Sequence, residues 1–481
     1  MNNLFKKILR KKNINHKHPA HLKKCLSALD LTLLGIGCII GTGIFVLTGI
    51  AAANQAGPAV ILSFIVSGFA CAFAALAYAE LSSSIGGCGS AYGYSYVAFG
   101  EFFAWIIGWI LLMEYGMSIA AVANGWSGYF NNALTAIGLG LPEALSKAPS
   151  LGGIVNLPAM VIILIIMSLL IIGAKQSAKF NAVMVFIKLL TITLFISVAM
   201  FNVNPANWHP FMPYGWFLTL PDGKTVGVLA GASLVFFAYV GFDAVSTAAE
   251  EAINPQRDLP KGIIGSLAFC TVIYIIVSLL LTGVVPYQEL NVSSPVAYAL
   301  QKIGFQWASA VVSTGVIAGL TTVMLVLYYA LTRIIFAMSR DGLLPHSLCE
   351  VNKNTNTPIK VIVYCGLLIS LIAGFIPLGT LAEIVNIGTL AAFVIVSLGV
   401  IFIRKLHKNN KATFKNKWHP LIPLLGIFSC GALMFFLPVE TWKRFLIWVL
   451  IGVVFYFTYS IKHSHLNKKP ASAGFLFRFK T

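Results

Sequence analysis

The chain has 481 residues, of which 58% are hydrophobic and only 10% charged, with a mean hydropathy of +0.86. Soluble domains carry about 25% charged residues, so a water-soluble globular class is excluded. A net charge of +18 would suit nucleic acid, but the bases sit in tails and loops between long apolar runs, which argues against that partner.

The chain opens on a basic tail, residues 1–27, that lacks the short apolar core and cleavage site of a secretory signal. Apolar runs of membrane-span length then recur to the end. Twelve spans are predicted, at about 32–53, 58–80, 101–130, 157–174, 180–200, 226–249, 262–284, 305–338, 359–376, 379–403, 419–438 and 442–461. The third and eighth are long enough to need tilt or extension beyond lipid. Alternate connecting segments hold the great majority of the 33 Lys and Arg residues. That skew predicts both termini on the cytoplasmic side. The eight cysteines are scattered, and those in spans, such as Cys38, Cys71, Cys270 and Cys430, read as small apolar fillers.

Two spans carry breaks. The first contains Gly35, Gly37, Gly41 and Gly43, and Gly41-Thr42-Gly43 falls at mid-depth. Gly37 and Gly41 fit small-xxx-small packing. The Gly-Thr-Gly turn fits an unwound helix whose freed N–H groups and dipole suit a carboxylate. The sixth span reads Gly231 to Asp243 with Gly241 inside it, aromatics around it and an acid beyond. The two breaks lie five spans apart, an odd offset, so two five-span units enter the membrane from opposite sides. The units expected are 28–200 and 226–404, joined by an extracytoplasmic loop at 201–225. A cytoplasmic loop at 405–418, two further spans within 419–461 and a tail at 462–481 follow.

Lys188 lies about 12 Å into its span, near the centre of a core about 30 Å thick. A charge there must face a cavity or a partner, or snorkel under strain. Glu114 is deep in the third span and Asp243 lies past the sixth-span break; both are polar partners or gate residues in this reading. Arg333 falls at the cytoplasmic end of the eighth span. With the charged, proline-rich loop 250–260 it is a candidate inner gate, while Glu80 and Glu383 read as local pairing groups. The stretch Ser82 to Gly89 lacks the Gly-Lys-Ser/Thr of a phosphate loop and reads as a tight turn. Neither a nucleophile–base pair, a metal cluster nor a cofactor motif stands out, so an enzyme is disfavoured; a channel filter is not apparent either.

The segments Gly37-Cys-Ile-Ile-Gly-Thr-Gly-Ile-Phe45, Gly241 through Pro260 and Thr332 through Pro345 resemble the amino acid–polyamine–organocation superfamily of permeases. Within it the chain is most similar to bacterial members of the cationic amino acid transporter family, over about residues 22–460. The resemblance implies an all-α polytopic membrane protein with the LeuT-like 5+5 inverted repeat, twelve transmembrane helices and broken helices one and six. It implies that Ile40, Gly41, Thr42 and Gly43 hold a substrate carboxylate. Phe236, Phe237, Ala238 and Tyr239 would offer carbonyls to the ammonium, with Phe237 as an outer lid. It places Lys188 where sodium sits in sodium-coupled relatives, implying proton coupling or uniport.

Leu320, in the apolar stretch Gly315 to Thr322, is the candidate for the side-chain pocket. An acid is missing from that stretch, which favours neutral substrates over arginine, lysine or ornithine. The expected activity is uptake of neutral L-amino acids by alternating access in a bacterial cytoplasmic membrane. A cationic transporter and a non-transporting sensor are the alternatives. The expected partners are the amino acid, protons and membrane lipid, with no metal, no cofactor and a monomeric state; an accessory membrane protein is left open.

Overall fold

The computed structural model describes residues 10–11, 25–85, 91–173, 178–221, 223–248, 251–352, 355, 357–406 and 414–467. Most of both basic tails, residues 86–89 of the expected turn, Lys175, Glu250 and residues 407–413 of the 405–418 loop lie outside the described residues. Among the described residues, eight helical runs are long and apolar enough to cross a membrane: Ala28–Ser84, Glu101–Ala136, Phe180–Ala199, Val228–Ser246, Pro255–Val284, Gln306–Arg340, Leu378–Lys405 and Val439–His463. Three shorter apolar helices, Leu157–Ile172, Ile359–Phe375 and Leu421–Phe435, lie between them. The run Ala28–Ser84 holds two crossings, because the chain turns at Gly57, where φ is 64°, and Pro58 before the second span starts at Val60. Among the described residues the fold is thus a helical polytopic bundle of twelve spans, numbered below in chain order.

Its packing has an internal symmetry. The first span packs on the seventh as the sixth packs on the second. The third meets the tenth as the eighth meets the fifth, and the first meets the fifth as the sixth meets the tenth. The pairs two–seven, three–eight and four–nine map onto themselves. Exchanging each span with the one five places later preserves all these contacts, which defines the 5+5 inverted repeat.

The last two spans buttress this unit. The eleventh packs on the tenth and second, and the twelfth on the tenth and third. Trp109 and Trp448 stack at 4.8 Å, and each indole N–H donates to the other's carbonyl, at 2.9 and 3.0 Å. Such reciprocal bonds satisfy polar atoms that lipid cannot. At the end of the bundle where the first span begins, buried Glu101 accepts from Tyr96, Tyr456 and Ser464 and pairs with Arg10 at 3.5 Å. Glu80 and Arg404 form a second ion pair there, and Glu383 accepts from Thr441 at 2.8 Å, so both acids are local pairing groups as expected.

Two segments differ from the sequence reading. Ser82, Ser83 and Ser84 extend the second helix, which runs to Ile85, and their hydroxyls are satisfied inside it by the Ala79 and Glu80 carbonyls. The 250–260 segment is helical from Pro255, since proline fits a first turn and Asp258 accepts from the Asn254 N–H at 3.2 Å. The connection between spans five and six carries one short antiparallel pair, Leu218–Thr219 with Thr225–Val226.

Candidate functional site

The first span begins at a capping box, in which Ser27 and Asp30 satisfy each other's backbone N–H groups. It runs to Ile39, turns extended at Ile40 (ψ 99°), and restarts as a helix with Thr42 as N-cap. A Cβ on Gly37 would lie 2.8 Å from Asn181 Oδ1, so that glycine serves packing. One on Gly43 would lie 2.3 Å from Ala238 Cα, so there the first span touches the sixth backbone to backbone. Gly41 is different: a Cβ would come no nearer than 3.7 Å to Val323, an ordinary contact, and packing alone does not demand glycine. Thr42 is fully buried, its methyl side facing Gly125 of the third span, and its Oγ1 has no hydrogen-bond partner among the described residues.

The sixth span is helical over Val228–Val235, tightens to a 3₁₀ turn over Phe236–Tyr239, and breaks at Val240 and Gly241, where φ is 116°. The two breaks therefore face each other. One offers the N-terminal end of a half-helix and the other its carbonyl-bearing counterpart, which is the polarity that a carboxylate and an ammonium require. All four of Phe236, Phe237, Ala238 and Tyr239 are buried.

Lys188 does not snorkel. It is 1% exposed, and its Nζ donates to Gly37 O at 2.7 Å and Ile40 O at 3.1 Å, the carbonyls that the break releases. Its stem crosses Gly319 of the eighth span, where a Cβ would lie 2.9 Å from Lys188 Cγ. The symmetry-related span repeats the device: Asn386 of the tenth span donates through Nδ2 to Ser233 O at 2.7 Å and Leu234 O at 3.0 Å, just before the sixth-span break. Tyr274 of the seventh span places its hydroxyl 2.8 Å from both Ile39 O and Ala238 O. Neither Asn386 nor Tyr274 was singled out from sequence.

The remaining candidates fall into two groups. Glu114 and Asp243 lie within electrostatic reach of each other on the third and sixth spans. Asp243 lies beyond the break, as expected, and its Oδ2 accepts from Tyr115 at 3.1 Å. Both carboxylate oxygens of Glu114 lack hydrogen-bond partners among the described residues. Arg333 donates to Glu251 at 3.0 Å and lies 4.4 Å over the Tyr329 ring. Glu251 also accepts, through its carbonyl, from the Cys25 and Leu26 N–H groups ahead of the first span. Arg333 thus ties the eighth span to the start of the first and the segment after the sixth. Leu320 is fully buried, and its neighbour Thr321 accepts from Trp126 Nε1 at 3.0 Å.

Paired discontinuous helices in an inverted-repeat bundle, each held by a polar side chain from its neighbour, define a secondary membrane transporter. The amino acid permease family profile matches residues 26–456, and the chain belongs to that family, within the amino acid–polyamine–organocation superfamily. It is 51% identical to a methylthioribose transporter of Bacillus subtilis over 449 residues, 93% of this chain and 95% of the relative. It is 49% identical to the branched-chain amino acid permease BcaP of the same organism, again over 93% and 95%. A vacuolar cationic amino acid transporter 4 of Arabidopsis thaliana is 37% identical over 82% of this chain and 67% of its own length. The protein is an amino acid permease of a multi-pass membrane type.

Proposed function

We propose that the chain imports neutral, aliphatic L-amino acids by alternating access, with protons rather than sodium as the driving ion. The observation that carries this reading is the contact of Gly43 with Ala238, which brings the start of one half-helix against the carbonyl end of another. In this reading N–H groups of Gly41, Thr42 and Gly43, with the Thr42 hydroxyl, take the carboxylate, while carbonyls of Phe236–Tyr239 take the ammonium. Each charge is then met by fixed dipoles, which a buried zwitterion needs. Ile40 and Leu320 bound the side-chain space and Phe237 covers it from outside. Lys188 holds the first half-helix in place of a metal ion. Arg333 with Glu251 closes the inner mouth, and the basic side faces the cytoplasm of a bacterium.

The stretch Gly315 to Thr322 around Leu320 holds no acid to meet a cationic side chain, whose buried charge would be costly. The similarity to a branched-chain permease supports the same preference. The test is uptake of radiolabelled leucine into liposomes holding the purified protein, with competition by valine, alanine, arginine, lysine and methylthioribose. Leucine accumulation driven by an inward proton gradient, blocked by valine and indifferent to sodium and arginine, is expected. Competition by arginine alone would transfer the assignment to cationic substrates. Competition by methylthioribose alone would remove the carboxylate and ammonium from the account, and binding without accumulation would make the protein a sensor.

A further inference from the structure

Tyr274 sits on the seventh span, outside both broken helices, yet its hydroxyl oxygen is 2.8 Å from a carbonyl of each: Ile39 at the end of the first half-helix and Ala238 in the sixth-span turn. A phenol has a single proton, so it can donate fully to only one of two acceptors at a time. The ring is fully buried and fixed on two sides, by Phe64 with centroids 5.5 Å apart and by Tyr239 at 5.4 Å. The oxygen therefore stays between the two carbonyls while its O–H rotates from one to the other. Leaving a buried carbonyl without its donor costs free energy, so the direction of that O–H biases the position of whichever half-helix it holds.

We propose that Tyr274 is a positioning residue that reports substrate occupancy from the sixth span to the first. The inference rests on the reading that the substrate ammonium binds the Phe236–Tyr239 carbonyls. In the empty protein the proton is divided between Ile39 and Ala238. A bound ammonium at the Ala238 carbonyl repels the positive end of the O–H dipole and turns it to Ile39. The first half-helix is then gripped by Tyr274 as well as by Lys188, which already holds Gly37 and Ile40. The close contact of Gly43 with Ala238 keeps the two breaks in register while this happens. Loading thus moves the phenol's grip from the sixth-span turn, where the ammonium replaces it, to the first half-helix, which the empty protein holds less tightly.

The test compares wild type with Tyr274→Phe, which keeps the ring and deletes the donor. Tyr328→Phe serves as the control, since it deletes another buried hydroxyl, bonded to the Ile362 carbonyl between spans eight and nine. Leucine binding, leucine turnover and hydrogen–deuterium exchange of the 33–40 segment are measured on the full chain in lipid. In wild type and in Tyr328→Phe, leucine slows exchange at 33–40, and its deamino analogue 4-methylpentanoate does not. In Tyr274→Phe, leucine binds within about threefold of wild type, turnover falls about tenfold, and the leucine-dependent protection of 33–40 is lost. Intact protection and turnover in Tyr274→Phe would overturn the relay, as would affinity and turnover falling together. Wild type that binds no leucine would overturn the amino acid reading itself and the relay with it. Normal leucine binding with protection that 4-methylpentanoate also produces would overturn the relay alone.

Discussion

Replacing Lys188 with Met removes the two hydrogen bonds that hold the first half-helix, to Gly37 O at 2.7 Å and Ile40 O at 3.1 Å, while keeping a side chain of similar reach. Hydrogen bonds from a charged donor contribute about 1.5 kcal/mol or more each, so the pair holds the half-helix by about 3 kcal/mol. Methionine avoids the cost of burying an ammonium, which offsets part of that loss. The expected net effect is a shift of about tenfold to a hundredfold toward the released position. Carboxylate contacts at Gly41, Thr42 and Gly43 do not involve the Lys188 side chain, so equilibrium leucine binding should change less than transport. The assay is acid-driven leucine uptake in liposomes beside equilibrium binding to the same preparation. Gly319→Ala tests the same point without touching the ammonium, because its Cβ would press on Lys188 Cγ at 2.9 Å and displace the stem. Wild-type acid-stimulated uptake in a fully active Lys188→Met protein would refute the reasoning.

Gly43→Ala puts a carbon 2.3 Å from Ala238 Cα, so the two breaks must separate; leucine, valine and alanine should all lose affinity about equally, as measured by binding. Asn386→Ala frees the Ser233 and Leu234 carbonyls and should slow turnover about tenfold while the protein still purifies as a folded monodisperse species. Arg333→Leu removes the tie to Glu251 and should raise leucine leak from preloaded liposomes; unchanged leak would remove Arg333 from the inner gate.

The sequence was most informative where a residue violates the rules of its surroundings. A lysine at mid-membrane and a Gly-Thr-Gly turn at the same depth are costly in a plain apolar helix, so each announced a role. The order of spans followed from apolar length, and the odd spacing of two breaks anticipated the inverted repeat that the packing pairs display. What was missed obeys the rules locally. Tyr274 is one more aromatic in an apolar helix, and Asn386 one more small polar residue; their work depends on carbonyls of spans far away in sequence. Gly125 likewise gives no signal, since its need for smallness comes from Thr42 pressing on it across spans. The loop reading of 250–260 failed because two prolines look like breakers, whereas Pro255 opens a helix.

The most direct test of the central claim is a structure of the protein with leucine bound in lipid. The carboxylate is expected within hydrogen-bond distance of the Gly41, Thr42 and Gly43 N–H groups and the ammonium on carbonyls of Phe236–Tyr239. Leucine held instead through its carboxylate by Lys188 or Arg333, or lying away from both breaks, would contradict it.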